Sequence, residues 1–328
     1  MMLWASWTIQ FVVSGRRRQF SSLQARAGFF SVACNRLFGY FVKLLNGFYK
    51  RNRMHKHVLG VIGYPMTHTL SPHLHGFMIE KLGLPASYFA FSVQPERLGD
   101  ALAGAKALGL TGLNVTVPHK QAVMAHLDEI DARAKAIGAV NTIRFEKGAA
   151  FGTNTDAGGF LESLTFNDVS LAGREVLILG AGGAAHAIVY AAQQAGAAAI
   201  SIFNRTAERA EKLAAHFGVR AVAEADTERL ANGAVVINTT SVGMSPKLDA
   251  CPLPENPFRS DLIYVDLVYN PLKTRFLALA QHAGATTVDG LGMLIFQGAQ
   301  ALSHWMAREI DVQKWYPELR TLLISKMK

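Results

Sequence analysis

Three short polar segments close apolar runs in this chain: Asn114-Val115-Thr116-Val117-Pro118-His119-Lys120, Gly138-Ala139-Val140-Asn141-Thr142 and Asn154-Thr155-Asp156. Between them they supply one lysine, Lys120, and one carboxylate, Asp156. A lysine by itself is most often a solvated surface charge. Next to an aspartate from another strand end, at a cleft between domains, an ammonium can hold and exchange the proton of a hydroxyl. A polar pocket that reads hydroxyls, close to a hydride carrier, would suit a dehydrogenase acting on a polyhydroxylated small molecule.

The hydride carrier has its own signal. Residues 176–179 are an apolar strand running into Gly180-Ala181-Gly182-Gly183-Ala184, and an alanine-rich helix follows. Gly180 permits the tight turn, Gly182 lets backbone approach a pyrophosphate, and the helix start offers N–H groups to the phosphates. Ala185 stands where the third glycine of such a turn often lies, a replacement the turn tolerates. The next strand ends in Asn204-Arg205-Thr206, with Arg209 one helical turn on. An acidic residue there would hold a free ribose 2′-hydroxyl; an arginine can instead fork onto a 2′-phosphate, so NADP(H) is the expected cofactor. The plainer alternative is a solvated arginine with Thr206 as an ordinary helix cap.

The elements that must carry these residues read as α/β. Residues 58–62 form a buried strand, and Ser71-Pro72 opens a helix with Ser71 as its cap. A strand over 88–93, a helix over 94–108, a strand over 112–117 and a helix through Leu127 come next. Residues 143–145 and 149–151 flank Lys147-Gly148 as a hairpin. From about Asp156, strands at 175–179, 199–203, 234–238, 262–267 and 286–288 alternate with helices at 184–195 and 207–217, after a linking helix at 161–164. That alternation predicts a parallel, doubly wound sheet. The stretch from Met293 onward is largely helical and should pack back on the first unit. The expected division is a basic leader over 1–57, a substrate-binding domain over 58–155 plus 290–328, and a Rossmann-like NADP-binding domain over 156–289.

The net charge of +9 is a property of the leader. Residues 1–53 hold nine basic residues and no acidic one, and the remaining 24 lysines and arginines equal the 24 acidic residues. A neutral body excludes a folded nucleic-acid-binding surface, which would carry the excess itself. The leader reads as a mitochondrial-type targeting peptide, as a membrane-surface helix bearing Phe38, Phe41, Leu44, Leu45 and Phe48, or as sequence upstream of a true start at Met54. The last is favoured, since nothing before Met54 resembles a domain. No run approaches the ~20 apolar residues of a membrane span. Two cysteines, Cys34 and Cys251, allow no disulfide framework in the body, which fits the cytoplasm. His68, His73, His75 and His119 suggest a metal cluster at first sight, but they lack carboxylate or cysteine companions, and hydride transfer to a ketone needs no metal.

Taken in order along the chain, these segments resemble the shikimate dehydrogenase family. The resemblance rests on Ser71-Pro72-His73-Leu74-His75, the three polar segments, the glycine turn, Asn204 to Thr206, Asn238 to Met244 and Asp289-Gly290-Leu291-Gly292-Met293-Leu294. It spans residues 58 to about 300. It implies NADPH-dependent reduction of 3-dehydroshikimate to shikimate, in chorismate and aromatic amino-acid biosynthesis, with Lys120 and Asp156 as the catalytic pair. It further implies that Thr69, Ser71, Thr116, Asn141, Tyr269 and Gln297 bind the substrate's carboxylate and hydroxyls, and that Leu267 and Gly290 line the nicotinamide. Each has a plainer alternative: a β-branched strand residue for Thr116, a turn former for Asn141, a half-buried aromatic for Tyr269, a surface amide for Gln297. Thr69 replaces the family's usual serine and adds a methyl, which keeps quinate open as a substrate beside shikimate. A non-catalytic NADP(H)-binding regulator on the same scaffold is the reading from another class. A monomer or a homodimer is expected.

Overall fold

The computed structural model describes residues 57–66, 69–225, 227–253 and 258–327, with Val12–Val13 and Arg16–Arg17. Those two dipeptides pair antiparallel in a unit ending at Met54. The readings of the basic leader, and of His68, otherwise lie outside the described residues. From His55 on, the chain forms a second unit built on two six-stranded sheets.

The first sheet uses β1 (His57–Gly63), β2 (Ala86–Ser92), β3 (Gly112–Val115), β4 (Glu129–Ile130), β5 (Thr142–Glu146) and β6 (Ala149–Thr153), in the order β2-β1-β3-β5-β6-β4. β1 lies parallel to both β2 and β3, and residues 59–63 are wholly buried, as befits an apolar strand with a neighbour on each side. β5 runs antiparallel to β3 and β6. Lys147 and Gly148, both left-handed at φ 51° and 81°, make the two-residue turn between β5 and β6. Helices α1 (Ser71–Leu82), α2 (Leu98–Ala107) and α3 (Ala132–Ile137) complete this half.

Three local expectations need correction. Ser71 is the first helical residue of α1, not its cap; Leu70 holds the cap position, and the Ser71 N–H is taken by Thr69 Oγ1 at 3.3 Å. The stretch after Lys120 is only a short 3₁₀ turn, Ala122–His126, because Val123 alone is buried there and one apolar anchor cannot hold a helix. The helix expected over 94–108 divides into a 3₁₀ turn, Pro95–Arg97, and α2.

The second sheet is wholly parallel: β7 (Glu175–Leu179), β8 (Ala199–Phe203), β9 (Arg220–Val222), β10 (Val235–Asn238), β11 (Ile263–Asp266) and β12 (Thr286–Val288), in the order β9-β8-β7-β10-β11-β12. Winding proceeds outward from β7 in one direction and then from β10 in the other. The strand order therefore reverses between β7 and β10, and ligands bind at such reversals in open α/β sheets. α5 (Gly183–Gln194), α6 (Ala207–Phe217) and α7 (Arg275–His282) are the crossover helices.

Two further helices join the halves. α4 (Asp156–Phe166) packs Ala157, Phe160 and Leu164 into the core around Val176, Ile178 and Ile188. α8 (Leu291–Met306) packs Ile295, Phe296 and Leu302 against Leu59, Val61, Leu74 and Met78 of the first half. α9 (Tyr316–Ile324) adds Leu319 and Leu323 to that core, so the C-terminal helices return to the first sheet as expected. α4 and α8 cross so closely that a methyl on Gly159 would lie 2.4 Å from the Gln297 backbone nitrogen. Among the described residues, no helix is long and apolar enough to cross a membrane.

Candidate active site

β3 ends at Val115, and the chain then turns through Thr116, Val117 and Pro118 to present Lys120. β6 ends at Thr153, and α4 begins at Asp156. The two ends meet: Lys120 Nζ is 2.5 Å from Asp156 Oδ2, with the side chains 13% and 6% exposed. At that burial the pair is desolvated, so its charges interact far more strongly than a surface pair would.

Asn141 organises the pair. Its Nδ2 donates to Asp156 Oδ1 at 2.8 Å, which leaves Oδ2 to the lysine. The same amide lies 3.0 Å from Thr155 Oγ1 and 3.4 Å from Gln297 Oε1. Asn141 Oδ1 accepts from the Thr155 N–H at 2.8 Å and from Thr142 Oγ1 at 2.9 Å. Behind it, Asn114 Nδ2 donates to Thr142 Oγ1 at 3.2 Å, and Tyr88 Oη donates to Asn114 Oδ1 at 2.7 Å. A buried hydrogen-bonded chain thus runs from β2 to the carboxylate. His75 stacks on Tyr88, with ring centroids 4.1 Å apart and 9° between planes. Complete burial pushes the His75 imidazole down to about 3, outweighing help from the Asn114 side chain.

Lys120, Asn141, Asp156 and Gln297, singled out in the sequence, are therefore joined by direct hydrogen bonds. Thr69, Ser71, Thr116 and Tyr269 make no hydrogen bond to this group among the described residues. Thr69 and Ser71 sit at the start of α1, with the Ser71 side chain beside the Tyr88 hydroxyl. Thr116 follows β3, its N–H on Ile62 O. Tyr269 packs on the apolar core shared by α1 and α8, and burial pushes its phenol up. Thr142, Thr155, Asn114 and Tyr88 were not singled out. The first three lie inside the quoted segments, whereas nothing in the strand pattern marks Tyr88.

The glycine turn leaves the C-terminal end of β7. Gly180 adopts φ 112°, and a side chain there would meet Thr239 and Thr240. Gly182 caps α5 with no side-chain bond, so among the described residues the first N–H groups of that helix have no side-chain acceptor, and Gly183 and Ala184 open its first turn. Asn204, Arg205 and Thr206 follow the adjacent strand, and Gly180 N–H donates to Phe203 O at 2.7 Å, which sets both segments on one edge. Thr206 caps α6 through its backbone alone, so its hydroxyl is not spent on the helix. Arg205 and Arg209 are exposed and form no ion pair among the described residues. These features fit a phosphorylated dinucleotide: free N–H groups for the pyrophosphate, and two unpaired guanidiniums with a hydroxyl where a 2′-phosphate would lie. Leu267 and Gly290 are adjacent, since a methyl on Gly290 would lie 2.4 Å from Leu267 O. Asp266, just before Leu267, accepts from Asn238, Thr274 and the Val268 N–H. Burial pushes its carboxyl up to about 6 in spite of those donors.

The two regions touch. A methyl on Gly183 would lie 3.2 Å from Lys120 Cβ, so the lysine stem rests against the glycine turn. Histidines 73, 75 and 119 do not gather round an ion: His119 Nε2 is 2.7 Å from Val93 O, and among the described residues no three metal-ligating side chains converge.

A doubly wound sheet with a glycine turn at its reversal point, against a buried lysine–aspartate pair, is the architecture of a nicotinamide-dependent oxidoreductase. Comparison with known proteins makes the class specific. Residues 61–143 match the family described as shikimate dehydrogenase substrate binding domain, and residues 163–267 match shikimate / quinate 5-dehydrogenase. Shikimate dehydrogenase (NADP(+)) of Geobacillus kaustophilus is 43% identical over 263 residues, 78% of this chain and 95% of that protein. Its counterpart from Methanopyrus kandleri is 47% identical over 270 residues, 78% of this chain and 92% of that protein. The crystal structure of Thermus thermophilus shikimate 5-dehydrogenase, in complex with NADP(H) and shikimate, superposes with a TM-score of 0.75 at 39% identity, covering 81% of this chain and 99% of that one. The chain belongs to the shikimate dehydrogenase family, oxidoreductases acting on a CH–OH group.

Proposed function

We propose that this protein reduces 3-dehydroshikimate to shikimate with NADPH, reversibly. The observation that carries the reading is the 2.5 Å contact between Lys120 and Asp156, buried and set against the glycine turn. When bound, NADPH supplies the hydride that reduces the ketone carbon. Lys120 Nζ gives a proton to the ketone oxygen as charge develops there, so that a secondary alcohol results; in reverse it takes that proton back. Asp156 Oδ2 aims the ammonium, and Asn141 fixes which carboxylate oxygen does so. Asp156 also binds a ring hydroxyl. Ser71, Thr116, Asn141, Tyr269 and Gln297 hold the remaining substrate oxygens, Thr69 Oγ1 being shared with the Ser71 N–H. Gly180 to Ala184 cradle the pyrophosphate, Asn204 to Thr206 with Arg209 read the 2′-phosphate, and Leu267 and Gly290 line the nicotinamide.

The same reading assigns residues 58–155 and 290–328 to substrate, and 156–289 to NADP; the match of residues 61–143 to a substrate binding domain supports it. A cytoplasmic location fits a chain with only two cysteines, and the enzyme acts as a monomer or homodimer. The test is a steady-state assay of shikimate and quinate, each with NADP⁺ and with NAD⁺. The reading requires shikimate with NADP⁺ to give the highest kcat/KM. Faster turnover of quinate would move the assignment to a quinate enzyme, and no turnover with NADPH still bound would leave a regulator.

A further inference from the structure

Two histidines outside the proposed chemistry bridge the halves of the molecule. His186, in the first turn of α5, places Nδ1 2.8 Å from Ile137 O and Nε2 3.0 Å from Gln121 Nε2. His216, near the end of α6, places Nε2 3.0 Å from Ala136 O, and the two imidazoles lie 5.9 Å apart. Both acceptors are the last carbonyls of α3, which in an isolated helix have no intrahelical partner. A carbonyl only accepts, so Nδ1 of His186 carries the proton, and Nε2 accepts from the Gln121 amide. Burial, opposed by the Ile137 bond and aided by His216, lowers the His186 pKa and favours this neutral form.

Both partners of His186 lead to the chemistry. Gln121 follows Lys120 in the chain. Ile137 precedes Gly138, the left-handed cap of α3 at φ 72°, and three residues later comes Asn141. The two segments are tied to each other as well, since the Val140 N–H donates to Lys120 O at 2.8 Å. One imidazole on the cofactor helix thus grips both segments that deliver the proton donor and the residue orienting its carboxylate.

Resting on the dehydrogenase reading above, we propose that His186 is a positioning residue for the reaction: by joining the start of α5 to Ile137 O and Gln121, it sets the distance between Lys120 and the glycine turn that would hold the cofactor. His216 supports the same clasp at Ala136 O. Binding of each ligand alone does not need that distance; transfer between them does.

The experiment measures kcat, KM for both substrates, and the separate affinities for NADPH and shikimate in wild type, His186→Ala, His186→Asn and Gln121→Ala. Because misplacement on the order of 1 Å can cost about 100-fold in rate, His186→Ala is expected to lose roughly 10- to 100-fold in kcat. Its affinities should stay within about twofold of wild type, as uniform binding is untouched. Asparagine places an amide nitrogen where Nδ1 stood, so His186→Asn should keep the Ile137 bond and recover most of that loss. Gln121→Ala, which trims an exposed side chain, should lower kcat in the same direction; it carries the test if His186→Ala fails to fold. Unchanged kcat in all three variants overturns the proposal, as does a loss confined to KM or to NADPH affinity, or an Asn variant no better than Ala. An inactive wild type that still binds NADPH would instead sink the dehydrogenase reading, and this proposal with it.

Discussion

Replacing Lys120 with methionine separates the two things the lysine does. Met fills much of the same volume but leaves Oδ2 of Asp156, whose side chain is 6% exposed, without its cation. Breaking a buried ion pair from one side costs about 3–5 kcal/mol, because the surviving charge stays buried. The lower end is expected here, since Asn141 still donates to Oδ1 at 2.8 Å. About 3 kcal/mol corresponds to roughly 5 °C in Tm for a folded unit spanning residues 55–328. Adding Asp156→Asn to Lys120→Met removes the stranded charge and should restore most of the Tm. Activity should respond differently. The single variant loses about 10²–10⁴ in kcat for a missing proton-transfer group, and the double variant does not regain it. Differential scanning fluorimetry and steady-state NADPH oxidation read the two effects. Near-normal turnover in Lys120→Met would refute the role of the lysine. A double variant no more stable than the single would refute the stranded-charge argument.

Arg205→Ala should weaken NADPH by about 10-fold or more while leaving NADH nearly unchanged, since a forked contact to a phosphate contributes roughly 1.5–3 kcal/mol; equal weakening of both, measured by fluorescence titration, would put the 2′-phosphate elsewhere. His75, with a folded pKa of about 3 against an ordinary 6.5, contributes stability that is present above pH 6.5 and lost as pH falls through that window. His75→Phe should therefore flatten the acid side of the Tm–pH curve, by up to roughly 5 kcal/mol at the acid end; an unchanged slope counts against a neutral buried imidazole. Asn141→Ala leaves the buried Thr155 N–H without its acceptor and Asp156 Oδ1 without a donor. It should cost about 2–4 kcal/mol in denaturant unfolding and lower kcat/KM, and a stability loss with intact kcat/KM would confine Asn141 to the scaffold.

The second sheet was the more legible half. Its inner strands are short, largely buried apolar runs and its helices carry apolar stripes, so 175–179, 199–203 and 207–217 emerge with the same bounds in the structure. The bounds 286–288 also hold at one partly exposed edge, whereas β9 at the other edge, with Arg220 exposed, carried no such signal. α6 ends where Gly218 turns left-handed. The stretch after Lys120 misled because its composition permits a helix while its burial does not reward one. At the site, Lys120, Asn141 and Asp156 could be read because each sits in a distinctive polar segment at a strand end. The support behind them could not. Tyr88, Asn114 and Thr142 are 26 to 28 residues apart along the chain yet hydrogen-bonded, and Tyr88 alternates like any half-buried strand residue. His186 looks like an ordinary helix position until α3 is seen to end against it. The first contacts exist only once the strands of the first sheet pair, and the last only once the halves meet.

A crystal structure of the protein with NADP⁺ and shikimate tests the central claim most directly. The account predicts the hydroxyl to be oxidised within about 3 Å of Lys120 Nζ, with its carbon facing the nicotinamide and a neighbouring hydroxyl on Asp156. Shikimate bound away from that pair, or a nicotinamide directed away from the glycine turn at Gly183, would contradict it.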